Sequence, residues 1–156
     1  VIVWRIATDA PHYAADDLSG AGAASRGGRW NERDVAMVYA SESRALACLE
    51  TLVHLDDGGL PLNRYLVRIE IPQPLWAAAE RATFLSLPVG WDAEPASITS
   101  IRLGTAWARS GASAILRVPS VIVPEEENIL INPAHPDTAG ITATKARRWL
   151  YDPRLR

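Results

Sequence analysis

Residues 65–71 alternate without a break. Tyr65, Val67, Ile69 and Ile71 fall on one side, Leu66, Arg68 and Glu70 on the other. A period of two separates an interior from an exterior only in an extended chain, so this segment must be a half-buried strand. Short apolar runs at 113–118, 120–123 and 128–132, punctuated by Pro119, Pro124 and Pro133, read as further strands. Residues 1–7, 35–40 and 141–151 complete the set. Between them the period changes. Residues 41–55 repeat Leu46, Leu49 and Val53 at helical spacing, with Ser41 as N-cap and the run Asp56-Asp57-Gly58-Gly59 as the stop. Residues 95–110 form a second helical stretch, with Ser97 as cap and Gly111 as terminator. Residues 75–94 carry no clear period. Strands and helices interleaved over 156 residues, without repeat or linker, predict one domain over residues 1–156, of α+β (mixed α/β) class.

Several function classes are disfavoured at once. A net charge of −2 lacks the basic field that non-specific nucleic-acid binding needs, so no direct nucleic-acid contact is expected. Cys48 is the only cysteine, which leaves no disulfide framework and no zinc cluster; mid-helix, it reads as a small packed hydrophobe. None of the three histidines has metal-ligand spacing, so no metal is expected. No apolar run approaches the roughly 18 residues of a membrane span, and the start lacks a signal peptide's plan. A cytoplasmic location and no membrane contact are the expectation. Six Trp against one Phe are unusual, because Trp suits a wall for a flat ligand or an interface.

Two charges stand where core residues belong. Arg5 sits among Val3, Trp4, Ile6 and Ala7. At about 100° per residue, Glu50 lies about 40° from Leu46 and about 60° from Val53, inside the apolar arc of its helix. A buried charge must be paired, shifted in pKa or committed to a ligand. Arg5 could hold phosphate or carboxylate, or could simply reach water at a strand end. The long connection after the first strand ends in Gly27-Gly28-Arg29-Trp30-Asn31, which combines backbone freedom, a cation, an aromatic plate and an amide. A plain turn with an exposed Arg29 fits as well. Glu50 could be an active-site carboxylate or half of a salt bridge with Arg5 or Arg29. Tyr39 fits a cleft or the core. Ser120 has no glycines around it and reads as a hydrogen-bond donor, not a nucleophile.

These pieces follow one another in a familiar order. Arg5 in a first strand, Gly-Gly-Arg-Trp-Asn at 27–31, Val38-Tyr39-Ala40-Ser41, Leu46-Ala47-Cys48-Leu49-Glu50, Val118-Pro119-Ser120, Asn132-Pro133 and the ending Tyr151-Asp152-Pro153-Arg154 together resemble the RES domain, named for its Arg, Glu and Ser. The resemblance implies a fold similar to the ADP-ribosyltransferase toxins, with a split mixed sheet flanked by helices. It also implies a toxin paired with an Xre-type helix-turn-helix antitoxin that covers the cleft. The substrate it implies is NAD+, opened at the nicotinamide–ribose bond by hydrolysis or phosphorolysis, or by transfer of ADP-ribose to a protein.

Carried over residue by residue, Arg5, Glu50 and Ser120 match the three eponymous positions, and Arg29 and Tyr39 the flanking cleft residues. Glu50, Arg29 and Tyr39 are then the expected catalytic set. Arg5, Arg29, Trp30, Tyr39 and Ser120 are the expected NAD+ contacts. Loss of nicotinamide builds oxocarbenium character on the ribose, and a carboxylate beside it stabilises that charge. A non-catalytic nucleotide-binding or interaction module is the reading from another class, and NAD+ consumption by the purified chain separates the two.

Overall fold

The computed structural model describes residues 1–155. Seven strands form one mixed sheet: β1 (Ile2–Thr8), β2 (Val38–Ser41), β3 (Arg64–Glu70), β4 (Glu80–Arg81), β5 (Ile115–Pro119), β6 (Glu127–Ile131) and β7 (Thr142–Trp149). The helices are α1 (Ala21–Arg26), α2 (Arg44–Leu52), α3 (Gln73–Ala77) and α4 (Ile98–Ser110). The spatial order is β4-β5-β6-β2-β1-β3-β7, and all neighbours are antiparallel except β4 and β5. The α+β expectation holds. One junction is narrow: β1 matches β3 through seven register pairs but β2 through a single one, Trp4 with Ser41. The sheet therefore has two wings, β4-β5-β6-β2 and β1-β3-β7, joined at that pair.

Residues facing each other across strands lie on the same side of the sheet. One side carries Val3, Ala7, Val38, Ala40, Val67, Ile69, Ile129 and Ile131, all in the largest apolar cluster. The other side holds two smaller clusters. Under α4, Trp107 packs with Leu116, Val118, Leu130 and Met37; under α2, Ala47 and Cys48 pack with Ile6, Leu66 and Tyr151. Both faces of β3 are thus covered at Leu66, where alternation alone suggested one. At the outer wing the buried Glu127 carboxylate accepts from Arg81 and from Arg117, the latter pair 2.6 Å apart. A buried carboxylate needs such pairing to be tolerated.

Several expected boundaries move. The helix expected over 41–55 is α2, Arg44–Leu52, and its N-cap is Ser43, two residues past the expected Ser41: Ser43 Oγ accepts the Leu46 N–H at 3.0 Å. Ser41 is instead the last residue of β2. Residues 120–123 are a turn, not a strand, because the Ser120 hydroxyl accepts the N–H groups of Ile122 and Val123. The helix Pro95 was expected to open begins at Ile98, with Ser97 as N-cap. There Ser97 makes no side-chain cap bond and donates to the Gly90 carbonyl at 2.6 Å. Its C-terminal residue Gly111 takes the left-handed conformation (φ 63°) that glycine adopts most readily.

Cys48 is buried in the cluster beneath α2, and burial pushes its thiol pKa up, partly countered by the Trp149 indole. A raised pKa means less thiolate at neutral pH. In the native protein Cys48 is expected to react with a thiol reagent at pH 7.5 much more slowly than in urea. Equal rates in the two conditions would show the site to be open.

Candidate active site

On the second face, the floor of the sheet carries Tyr39 and Ser41 of β2 and Asn128 of β6. Register pairs Ser41 with Asn128 and Tyr39 with Leu130, so these side chains rise on one side. Glu50, in the last part of α2, reaches this floor. Its Oε1 accepts from Ser120 Oγ at 2.8 Å and from Asn128 Nδ2 at 2.6 Å. The Asn128 carbonyl oxygen in turn accepts from Ser41 Oγ at 2.8 Å. Tyr151 holds the helix from behind, its hydroxyl 2.7 Å from Thr51 Oγ1.

Neither bland account of Glu50 describes this arrangement. Among the described residues it has no salt-bridge partner, and it is half-buried, not immersed in apolar side chains. Leu49 and Val53, expected on the buried face, are 37% and 59% exposed. Leu49 and Val53 are thus exposed and Glu50 half-buried, while Leu46, Ala47 and Cys48 carry the packing of α2. Ser120 is 0% exposed. A hydroxyl has one proton and two acceptor sites. Its proton goes to Glu50 and its lone pairs to Ile122 and Val123, so nothing remains for a substrate. Ser120 is a support for Glu50 in this structure, not the free donor the sequence suggested.

The 27–31 motif is built around Asn31. Its Nδ2 donates to the carbonyls of Ala23, Glu32 and Val35, and its Oδ1 accepts from Tyr39 Oη at 2.6 Å. Tyr39 Oη also accepts the Trp30 N–H at 3.0 Å. Burial pushes the Tyr39 phenol above its usual pKa range, partly offset by that N–H and by the Arg29 charge. It stays protonated and hydrogen-bonded, so its ring, not its hydroxyl, is what it offers a ligand. Gly28 is required beneath it, since a Cβ there would lie 2.7 Å from Tyr39 Oη. Tyr39→Phe is expected to cost about 1–3 kcal/mol by leaving the Trp30 N–H and Asn31 Oδ1 unpaired. Urea unfolding measures it, and an unchanged midpoint would contradict the role.

Trp30 does not present a plate. The residue is 2% exposed, and its ring stacks on Trp91, centroids 6.2 Å apart. It fills the cluster under α4, because Tyr39 and Asn31 fix the backbone around it with the side chain inward. Arg29 is 20% exposed and engaged by the loop before α4: it donates to the Ala93 carbonyl at 2.7 Å and pairs with Glu94 at 2.6 Å. Arg5 lies one residue beyond the Trp4–Ser41 pair, where the wings part, and shares its side with Val67. It donates to the Asp17 carbonyl at 3.3 Å and has no carboxylate within ion-pair distance among the described residues. Burial lowers its pKa, with Asp17 opposing. Most of its N–H groups remain available to an anion. The structure thus joins Glu50 to Ser120, and Tyr39 to the Arg29 loop. No hydrogen bond or ion pair links Arg5 to either group among the described residues.

Asn128 was missed in the sequence, and Asn31 was noted without a role. The available signal for Asn128 was a polar amide at the start of the apolar run Ile129-Leu130-Ile131. Among the described residues no His, Cys, Asp and Glu cluster could hold a metal, and no helix is long and apolar enough to cross a membrane.

The fold thus builds, at Glu50, a half-buried carboxylate without an ion pair among the described residues, fixed on one oxygen by a hydroxyl and an amide. Comparison with known proteins gives the family. The RES domain model matches residues 2–152, and the chain belongs to that family. Over 152 residues it is 69% identical to the "Prs ADP-ribosylating toxin" of Sphingobium sp., covering 97% of this chain and 94% of that protein. Proteins called "Toxin Res" from Yersinia enterocolitica and Pseudomonas putida are 36% and 38% identical. They match over 92% and 87% of this chain, and 93% and 87% of their own lengths.

Proposed function

We propose that this chain is a toxin that consumes NAD+, breaking the nicotinamide–ribose bond and passing ADP-ribose to a protein. The observation that carries the reading is the Glu50 carboxylate, held on Oε1 by two donors while Oε2 bonds no other described residue. Cleavage leaves the bonding pair on nicotinamide, which departs neutral and needs no obligatory acid. Positive character builds on the ribose, and a fixed, unneutralised carboxylate stabilises it where it forms. The acceptor then bonds to the same carbon and loses its proton. Arg5 keeps unused donors for an anionic group, but by register it points to the face of the sheet opposite Ser41 and Asn128, so no contact at the ribose is assigned to it. The Tyr39 ring stands on the same face of the sheet as Asn128, and the Arg29 charge lies near its phenol.

Transfer to a protein is favoured over water or phosphate as acceptor because the 69% identical relative is named for ADP-ribosylation. Prs, the acceptor in that relative's name, is the first candidate here. The exposed Leu49 and Val53 beside Glu50 suit a protein surface, whether the acceptor or an Xre-type antitoxin closing the cleft. The action proposed is cytoplasmic.

The test is incubation of the purified chain with adenylate-labelled NAD+, with and without phosphate, purified Prs or cell extract. Label on a protein band is expected. Free ADP-ribose or its phosphate, with no labelled protein, would replace transfer by degradation. Intact NAD+ in every arm would leave a binding module.

A further inference from the structure

A glutamate has a free terminal torsion, so its two oxygens exchange places unless something prevents it. Here both donors that reach Glu50 meet the same atom. Ser120 Oγ and Asn128 Nδ2 both bond Oε1, and Oε2 bonds no other described residue. The donors come from separate elements, the turn after β5 and the strand β6, so together they set the plane of the carboxylate as well as its position.

Asn128 is itself oriented. An amide can be turned end for end, and its partners decide the orientation. Ser41, directly opposite on β2, gives its hydroxyl proton to Oδ1, which leaves Nδ2 facing the carboxylate. The reverse orientation would set a carbonyl oxygen against a carboxylate. The donor's chemistry also matters. A lysine or arginine at this place would hold Glu50 but cancel the charge the reaction needs, whereas an amide holds it and leaves the charge intact.

We propose that Asn128, turned by Ser41, is a positioning residue that acts with Ser120 to fix Glu50, so that Oε2 alone faces the reacting sugar. This deepens the function proposed above and rests on it. Neither Asn128 nor Ser41 needs to touch the substrate. Loss of positioning is then felt in the chemical step and not in NAD+ binding.

Steady-state NAD+ consumption by the full chain tests this, with Asn128→Ala, Ser41→Ala, the double variant, and a melting curve for each. Asn128→Ala is expected to lower kcat about 10- to 100-fold, the scale of a small misplacement, and to change KM less than about threefold. Ser41→Ala is expected to lower kcat less, and to do nothing further once Asn128 is alanine, because its effect runs through that amide. A parental kcat in Asn128→Ala, a loss confined to KM, or losses that multiply in the double variant would each overturn the assignment. Where Asn128→Ala lacks a cooperative melt, Ser41→Ala decides: reduced kcat at constant KM supports positioning, and parental kcat overturns it. If the parent itself leaves NAD+ intact, the functional reading falls and takes this inference with it. An active parent beside an unimpaired Asn128→Ala removes the inference alone.

Discussion

Glu50→Gln is expected to reduce NAD+ consumption by at least about 10²–10³-fold, the scale on which removing one preorganised charge-stabilising group acts. The substitution keeps the shape of the site. A glutamine carbonyl can still accept from Ser120 and Asn128 as Oε1 does now, at 2.8 and 2.6 Å. What it removes is the negative charge, and it puts an amide where Oε2 stands. Because Glu50 is half-buried and makes no ion pair among the described residues, the fold should lose little. A melting temperature within about 3 °C of the parent is expected. Nicotinamide release measured by chromatography, beside a melting curve, separates chemistry from folding. A variant that melts like the parent and works at its rate would remove Glu50 from the mechanism.

The second large effect lies away from the carboxylate. Gly104, inside α4, lies against the backbone of Trp30: a Cβ there would sit 1.9 Å from the Trp30 carbonyl oxygen and 2.7 Å from its carbon. These are backbone atoms, held by the Trp30 N–H bond to Tyr39 and, next door, by the Glu32 N–H bond to Thr105 Oγ1 at 2.9 Å. No flexible side chain can yield. In an exposed helix Gly→Ala is stabilising by helix propensity, by up to about 1 kcal/mol. Here steric displacement wins. Gly104→Ala is expected to destabilise by about 3 kcal/mol, the upper end of overpacking, and to push the 28–31 segment off α4. Since that segment carries Arg29 and seats Tyr39, NAD+ turnover should fall as well. Urea unfolding and turnover check both. A variant as stable as the parent would show that α4 and the loop are not in contact as described.

Glu50, one of the two charges that stood out in the sequence, is held in a way the helical wheel does not contain. Glu50 was read as carboxylate forced among Leu46, Leu49 and Val53. Leu49 and Val53 are exposed, and Glu50 is held by groups about 70 and 78 residues away in sequence. Local periodicity reports which side of a helix is special but not whether that side meets a core or a cleft. Strand β3 was legible because its alternation is strict. The turn at 120–123 was not, since Val121, Ile122 and Val123 have strand propensity and only the Ser120 hydroxyl's bonds to two N–H groups reveal the turn. Ser41 and Ser43 are equally plausible caps by type, and tertiary pairing with Asn128 decides between them. Trp30 illustrates the same limit. Its neighbours in sequence suggested a ligand plate, while its neighbours in space, Trp91 and Trp107, make it core. Asn128 had no local signal beyond being polar at the head of an apolar strand. Its hydrogen bonds with Ser41 and Glu50 join three elements, β6, β2 and α2.

Everything proposed for catalysis reduces to one negatively charged oxygen meeting one sugar. A crystal structure of the chain with a non-cleavable NAD+ analogue measures that contact directly. Oε2 of Glu50 is expected within about 3 Å of a hydroxyl of the nicotinamide ribose, with Oε1 still on Ser120 and Asn128. An analogue bound with that ribose out of reach of Glu50 would contradict the account.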